Sequence, residues 1–188
     1  MVRVEALSFT TEGISGAVRS EALRHVLIIP NSTLEQFQLK PGDLRENIVL
    51  DDTSIENLHS LPSGTVLNIN GVLIRLTVHC EPCNRIASFV KPSAIRHKRG
   101  YLGTVVAGGT IRIGDHISSL GVQYESIPYE LKERIIWYLN KQTKPVAVTK
   151  FVLEIGLSLS ACRAVPNMIK DIPGAETMIL FKNRKSLK

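Results

Sequence analysis

Short apolar runs separated by turn residues dominate the first two thirds of the chain. Six runs rich in β-branched or aliphatic residues predict strands, and Gly, Pro, Asn or Asp bounds them. Asn70-Gly71 between two runs predicts a tight hairpin, because both residues accept positive φ. Many short strands with frequent turns indicate a β-barrel or a compact mixed β-fold. The predicted strands are Val2–Ser8, Ala22–Ile29, Asn47–Leu50, Thr65–Ile69, Val72–His79 and Ile111–Ile113.

Helical patterns occur in one short segment of this part and again after Pro128. Asn31–Gln38 predicts a short helix capped by Asn31 or Ser32. Tyr129–Lys141 predicts a longer helix, because its apolar residues recur at helical spacing. The chain therefore changes from strand-rich to helix-rich near Pro128.

Two more helices and a strand complete the C-terminal pattern. The first of these helices should begin at its cap Thr149 and end at Gly156. Pro166 should kink or shorten the second. Three helices followed by a turn and a strand outline a winged helix-turn-helix. The predicted elements are Thr149–Ile155, Leu159–Lys170 and the strand Thr177–Phe181.

The sequence therefore predicts an α+β protein of two domains. A mostly β, barrel-like domain is expected over residues 1–120, a linker over 121–128, and a winged helix-turn-helix-like, α-rich domain over 129–188. A chain of 188 residues is long enough for two small cores.

The net charge of +6 is unevenly placed. Residues 1–128 hold twelve basic and twelve acidic side chains, so the whole excess lies in the last 60 residues. A basic second domain is typical of proteins that bind DNA or another polyanion. A solvated basic face with a basic tail, Lys182–Lys188, is the alternative.

Composition excludes several classes of protein. An apolar content of 44% with 21% charged residues is typical of a soluble globular chain. No apolar run is long enough to span a membrane, and the first residues lack the apolar core of a signal peptide. Three cysteines without framework spacing favour a reducing compartment. We expect a cytoplasmic protein with no membrane partner.

The segment His79–Arg85, hereafter the cysteine segment, holds Cys80 and Cys83 and has four interpretations. A redox dithiol normally begins a helix in a βαβ unit, whereas the surroundings here are predicted strands. Zinc would need a second ligand pair that the sequence does not supply, so no zinc is expected. The third interpretation is a pair of buried structural cysteines, and the fourth is a single reactive cysteine.

Cations near the pair support the reactive cysteine. Arg85 follows Cys83 by two residues, and residues 96–99 read Arg-His-Lys-Arg. Such neighbours lower the pKa of a thiol and populate its thiolate. They also bind phosphate and other anions, although a solvated loop would have the same composition.

Two segments together resemble the MOSC domain, the C-terminal domain of molybdenum cofactor sulfurases. They are P-G-D-L-R-E-N-I-V-L-D at 41–51 and the cysteine segment, with L-P-S-G-T-V-L-N-I-N-G-V between them. The resemblance covers about residues 3–118, and the order and spacing of the segments make it specific. It implies a β-barrel-like core that binds a molybdenum cofactor of the molybdopterin type or carries sulfur as a persulfide on one cysteine.

The resemblance also implies roles for individual residues. Cys83 matches the family cysteine, which is a molybdenum ligand in some members and a persulfide carrier in others. Arg45 and Asn47 match an arginine and an asparagine of the cofactor-binding turn, and Glu46 is expected to orient Arg45. Cys80 would be a neighbour able to resolve an oxidised Cys83. The predicted cofactor-binding residues are Arg45, Asn47, Arg85, Arg96, Lys98 and Arg99.

The sequence departs from the family in one segment. Many members have a histidine- and glycine-rich stretch upstream of the turn, whereas this chain passes from Ser15-Gly16 directly to Arg24-His25-Val26. A reduced substrate pocket is implied, and an independent reductase is not expected. The chain also shows no pyridoxal-phosphate desulfurase domain, so the implied sulfur donor is a partner cysteine desulfurase.

The C-terminal region has a resemblance of its own. Residues 129–182 resemble the winged-helix DNA-binding half of alkylguanine-DNA alkyltransferases, with R-A-V-P-N at Arg163–Asn167 where that family has R-A-V-G-N. DNA contacts from Arg163 and Asn167 are implied. The family's reactive P-C-H-R box is missing, because residues 171–176 read D-I-P-G-A-E, so alkyl transfer is not expected. A helical appendage that packs on the barrel is the alternative.

Overall fold

A computed structural model describes residues 3–17, 22–51, 53, 55 and 57–181. The chain divides into two compact units, residues 1–126 and 127–188. The first unit contains β1 (Ala6–Thr10), β2 (Gly13–Ile14), β3 (Val26–Pro30), α1 (Asn31–Gln36), β4 (Ile48–Leu50), β5 (Thr65–Ile69), β6 (Val72–His79), β7 (Tyr101–Ala107), β8 (Gly109–Arg112) and β9 (Ile117–Val122), with short 3-10 helices at Leu58–Ser60 and Asn84–Ile86.

A curled six-stranded sheet forms the first unit's half-barrel, in the order β4-β3-β7-β6-β5-β9. Only the β3–β4 pair is parallel, and the other neighbours run antiparallel. A second, three-stranded sheet has the order β2-β1-β8. Every residue of β3 is buried, which explains why its sequence is a continuous apolar run rather than an alternating one. The predicted mixed fold with a barrel-like sheet is confirmed.

The predicted hairpin is confirmed with its register. Asn70 and Gly71 have φ values of 48° and 88°, and Ile69 pairs with Val72 directly before and after them. β5 and β6 begin and end at the predicted residues. The turn residues in the sequence therefore predicted the position of this hairpin correctly.

Four strands were not predicted: the two-residue strands β2 and β10 (Val146–Ala147) and the longer strands β7 and β9. Each of the two longer strands contains a glycine, which weakens the strand pattern. Gly103 in β7 is there for space, because a Cβ atom would lie 2.6 Å from Ile74 Cγ2 and 3.0 Å from Arg75 O on the neighbouring strand. The glycine that weakens the pattern of β7 is thus the one that lets β7 approach β6.

The ends of other elements also differ from the prediction. The first strand begins at Ala6 rather than at the predicted Val2, which lies outside the described residues. Helix α1 has Pro30 at its N-cap, so the predicted caps Asn31 and Ser32 are wrong. Asn31 lies inside the helix, where Nδ2 donates to Glu35 Oε1 at 2.6 Å.

The second unit consists of short helices around its own apolar core. The described residues of this unit contain one strand pair, which runs parallel with Val146 opposite Ile179 and Ala147 opposite Leu180. This arrangement does not confirm the predicted winged helix-turn-helix. The elements are α2 (Leu131–Leu139), β10 (Val146–Ala147), α3 (Val148–Glu154), a 3-10 helix (Leu159–Ala164), α4 (Val165–Ile169), α5 (Ala175–Met178) and β11 (Ile179–Leu180).

The helix boundaries in this unit are partly as predicted. Gly156 follows α3 with a φ of 77°, which confirms the predicted left-handed end. Thr149 lies inside α3 rather than at its N-cap, which is Ala147. Pro166 does shorten the last predicted helix, because a 3-10 helix ends at Ala164 and α4 carries the proline in its first turn.

A fully buried arginine holds the second unit together. Arg134 is 0% exposed, although its sequence neighbours suggested a solvated basic face. Its Nε donates to Pro128 O at 3.1 Å, Nη1 to Ile155 O at 3.1 Å, and Nη2 to Tyr129 O at 2.7 Å. The side chain therefore fastens the residues before α2 to the carbonyl at the end of α3.

Candidate functional site

The cysteine segment follows the long central strand β6, which ends at His79. The next residue is still held by the sheet, since Cys80 N donates to Gly100 O at 2.9 Å. Cys83 is the N-cap of the 3-10 helix Asn84–Ile86, and its carbonyl accepts from Ile86 N at 3.2 Å. Cys80 is buried and Cys83 is half-buried, so the two thiols have different surroundings.

Arg99 joins the two segments that carry the family resemblance. Its guanidinium is 5% exposed; Nη1 donates to Glu81 O at 2.8 Å and to Cys83 Sγ at 3.5 Å. Nη2 donates to Leu44 O at 3.0 Å, in the turn at 41–51. A single side chain thus ties this turn to the cysteine segment and holds a positive charge against the thiol.

The pKa of Cys83 lies below its usual value. Partial burial raises this pKa, but the main-chain N–H of Arg85 donates to the thiolate, and the charge and hydrogen bond of Arg99 favour the ionised form, with a further contribution from the Arg85 charge. The lowering effects together outweigh the burial. No carboxylate pairs with Arg99 among the described residues, and its Nε has no hydrogen-bond partner there. Cys83 Sγ is therefore the acidic group that this buried cation contacts, and the contact favours its ionised form.

The pKa of Cys80 is shifted in the opposite direction. Burial raises it, and the opposing charges of Arg99 and Arg24 do not compensate. Cys80 Sγ lies 3.9 Å from Glu81 O, the geometry of a weak thiol donor. Cys80 is therefore a protonated, buried thiol, whereas Cys83 is partly exposed and has a lowered pKa.

The polar residues of the turn at 41–51 mainly bond to main-chain groups, some in the turn and some in β3. Asn47 Oδ1 accepts from Leu27 N at 2.8 Å, and Asn47 N donates to Leu27 O at 2.9 Å, which fixes β4 beside β3. Glu46 is buried and accepts from Gly42 N, so the expectation that it orients Arg45 is wrong. Arg45 has a φ of 62° and an exposed side chain.

The other predicted cations lie at the protein surface. Arg85, Arg96 and Lys98 are exposed, and Lys98 Nζ lies 6.0 Å from the centre of the Phe37 ring. None of these side chains donates to Cys83 in the described part of the chain; Arg85 acts through its main-chain N–H and its charge. Only Arg99 among the predicted cations is brought into contact with the thiol.

Two histidines form part of the surroundings that the sequence did not indicate. The His79 ring packs on Tyr101 with centroids 4.1 Å apart, and His59 stacks at 6.0 Å from His79. Tyr101 Oη donates to Leu61 O at 2.8 Å. These rings support the end of β6 directly before Cys80, and in the sequence they were too scattered to be grouped.

Gly100 positions both sides of the site, because it follows Arg99 and its carbonyl holds Cys80. Its φ is 108°, and a Cβ atom would lie 2.3 Å from Ile28 O and 2.5 Å from Ile29 Cγ2. We expect Gly100→Ala to destabilise the protein by about 2 kcal/mol or more, because strain and overpacking add. Urea unfolding followed by circular dichroism measures the loss.

Gly71→Ala is the matched control for this substitution. Gly71 also has positive φ, 88°, but no atom lies within 4 Å of a Cβ built there. Its loss should be about 1 kcal/mol, the strain of the left-handed conformation alone. Equal losses for the two variants would show that the contact with β3 is not tight.

The residues predicted to bind DNA lie in the second unit. Arg163 and Asn167 are both exposed, Arg163 in the 3-10 helix and Asn167 in α4. The basic excess of this unit has a different basis from the one expected. Four of its eleven cations belong to the tail at 182–188, outside the described residues, and Arg134 is buried. DNA contact by Arg163 and Asn167 stays a prediction.

Comparison with known proteins identifies the first unit. The sequence profile of the MOSC domain matches residues 18–118, more than half of the chain. The chain belongs to the MOSC domain family. The match contains both segments that Arg99 joins, and the expected family is confirmed. A search of curated proteins found no match to the chain.

Solved structures similar to this MOSC protein agree in fold. The YUAD protein from Bacillus subtilis has a TM-score of 0.53 and 19% identity, over 64% of this chain and 87% of that one. YiiM from Escherichia coli has a TM-score of 0.52 and 15% identity, over 90% of this chain and 86% of that one. At these identities the likeness shows the fold alone. In the described residues, no helix is both long and apolar enough to cross a membrane.

Proposed function

We propose that this MOSC protein carries sulfane sulfur as a persulfide on Cys83 and passes it to an acceptor thiol or metal centre. The observation that carries the proposal is a half-buried thiol with a lowered pKa, against which Arg99 holds a buried positive charge. A thiolate is the form that attacks sulfur. Partial exposure leaves it open to a reactant.

The transfer needs only the Cys83 thiolate, a donor persulfide and an acceptor thiolate. The Cys83 thiolate attacks the outer sulfur of a donor persulfide, R–S–SH, and a new S–S bond forms at Cys83. The donor's S–S bond breaks, and its electron pair leaves on the donor thiolate. An acceptor thiolate later removes the sulfur by the same exchange, so neither step needs an oxidant or a reductant.

Arg99 stabilises the negative charge at both ends of this cycle. It favours the thiolate before the attack, and it favours the same thiolate as leaving group when the sulfur is passed on. Cys80 takes little part, because a buried, protonated thiol is a poor nucleophile. The resolving role expected for Cys80 is therefore disfavoured, and the source of sulfur is a donor such as a cysteine desulfurase.

Persulfide labelling tests the assignment of the carrier. The purified protein is incubated with a persulfide donor and then tagged with a reagent for sulfane sulfur. We expect Cys83→Ser to abolish the label and Cys80→Ser to keep most of it, since only Cys83 combines access with a lowered pKa. Labelling that persists in Cys83→Ser and disappears in Cys80→Ser would refute the proposal.

A molybdenum cofactor held on Cys83 is the second candidate. A thiolate is a ligand that soft metals accept. Among the described residues, no group of three His, Cys, Asp or Glu side chains could hold a metal ion. A metal here would therefore need an organic ligand of its own, as molybdopterin provides, with Arg45, Arg85, Arg96 and Lys98 as donors to its phosphate. Molybdenum that copurifies with the wild type but not with Cys83→Ser would favour this candidate.

A further inference from the structure

Residues 84–98, hereafter the basic loop, lead from Cys83 to Arg99. They contain no aspartate or glutamate, and the sequence has none from Pro82 to Gly114. Residues 1–128 as a whole balance twelve cations with twelve anions, so this excess is local to the site. The four cations of the basic loop are all exposed: Arg85, Lys91, Arg96 and Lys98.

The basic loop is an ordered surface made of consecutive turns. Val90 N donates to Ile86 O at 3.1 Å, Ala94 N to Lys91 O at 2.9 Å, and Lys98 N to Ile95 O at 3.0 Å. Ile86 and Ile95 are fully buried, at 0% exposure, and anchor the loop to the core. Its outward side chains therefore have a fixed framework.

Among the described residues, the outward cations have no anionic partner. No carboxylate of the described residues forms an ion pair with Arg85, Lys91 or Arg96. Cations without a counter-charge make the local electrostatic potential positive and attract an anionic surface. Of these cations, Arg85 also lowers the pKa of the neighbouring Cys83.

An exposed aromatic residue lies in the middle of the basic loop. Phe89 is 52% exposed, and the residues before it are the small Ala87 and Ser88. A single exposed apolar residue is common on protein surfaces and would mean little alone. Phe89 is different because cations precede and follow it in the loop, and aromatic and arginine side chains are enriched in protein interfaces.

We propose that the basic loop docks an acidic protein partner that exchanges sulfur with Cys83, with Phe89 as the apolar contact. This inference rests on the proposed sulfur-carrier function. Docking would bring the partner's cysteine to a thiol that is only half exposed. The exchange is the one described above, in which the Cys83 thiolate takes the outer sulfur and the partner leaves as a thiolate.

A protein partner fits this surface better than a nucleic acid. Basic residues with an aromatic side chain also bind single-stranded nucleic acids. The surface here begins beside the Cys83 thiol, however, whose chemistry in the proposed function requires a sulfur-bearing partner. Carboxylates on the partner would complement the cations. The partner's cysteine would take part in the sulfur exchange.

Thiol–disulfide exchange with synthetic peptides tests the docking surface. Each peptide carries one cysteine and one leucine, activated as a mixed disulfide with 2-thiopyridine, and the released thione is followed by absorbance. One peptide is rich in glutamate, and the other has glutamine at the same positions. Rates are divided by the rate with neutral 2,2′-dithiodipyridine, and Cys83→Ser supplies the blank.

We expect the glutamate peptide to react about tenfold faster than the glutamine peptide at low salt, and to lose this advantage at high salt. Lys91→Glu combined with Arg96→Glu should remove the advantage. The control is Lys132→Glu combined with Lys144→Glu, which changes the net charge by the same amount on exposed residues of the second unit. This control should keep the rate advantage of the glutamate peptide. Phe89→Ser should slow both leucine-containing peptides relative to the neutral reagent.

Three other results would contradict the docking surface, the sulfur-carrier function or the choice of a protein partner. Equal normalised rates for the two peptides, with Cys83 reactive toward the neutral reagent, overturn the docking surface alone. A Cys83 that does not react with the neutral reagent overturns the sulfur-carrier function and this inference together. If a single-stranded DNA oligonucleotide suppresses the reaction of the glutamate peptide more strongly than polyglutamate of equal charge, the surface belongs to a nucleic acid and the inference is wrong.

Discussion

Replacing Arg99 by methionine should slow alkylation of Cys83 by iodoacetamide about tenfold at neutral pH, because one contacting cation is lost. The wild-type pKa of Cys83 is lowered, so its thiolate persists to lower pH than that of an ordinary cysteine. Without the charge and hydrogen bond of Arg99 this pKa rises, and the rate-against-pH curve moves to higher pH. Rates measured across a pH series check the direction of the shift.

Two further variants control this measurement. Arg112→Met removes an exposed cation of β8 in the same unit and should leave the curve in place. Arg99→Lys keeps a charge but loses the planar fork that reaches Glu81 O, Leu44 O and Cys83 together. It should fall between wild type and Arg99→Met. A pH profile that Arg99→Met leaves unchanged would contradict the thiolate–guanidinium pair.

Replacing Arg134 by methionine should destabilise the second unit by about 3 kcal/mol or more, because three carbonyls lose their charged donor. The acceptors are Pro128 O, Tyr129 O and Ile155 O. Trp137 is the sole tryptophan of the chain and lies in α2, so its fluorescence reports on this unit. Urea unfolding followed by this fluorescence measures the loss.

Lys132→Met is the matched control for Arg134. It removes a cation from the same helix, but one that is exposed. Its effect should lie within about 0.5 kcal/mol of wild type. A loss of similar size in both variants would mean that Arg134 acts through net charge rather than through its hydrogen bonds.

Strands with clear alternation or a strong turn could be predicted from the sequence, and strands shaped by close packing could not. β5, β6 and the Asn70-Gly71 turn were placed residue by residue. β7 was not predicted because Gly103, which lets β6 approach, also breaks the apolar pattern. The burial of Arg134 was not predicted because local sequence does not show which main-chain carbonyls will surround a guanidinium.

Spacing and neighbouring cations predicted Cys83 as the reactive residue, and in the structure its pKa is lowered by Arg85 and Arg99. Its reactivity stays a prediction. Which cation touches the thiol depends on how residues 84–98 fold, so Arg99 could not be separated from Arg96 in the sequence. Asn47 was read as a ligand, but its Oδ1 accepts from the backbone of β3, a bond that needs the parallel β3–β4 pair to exist.

A native mass spectrum of the protein purified from a cofactor-competent host tests the central claim most directly. We expect a species heavier than the bare chain by one sulfur atom. A reducing agent should remove this sulfur, and Cys83→Ser should lack it. A species with the mass of a pterin and molybdenum would instead favour the cofactor candidate. The bare mass alone, even after incubation with a persulfide donor, would contradict the claim that Cys83 carries sulfur.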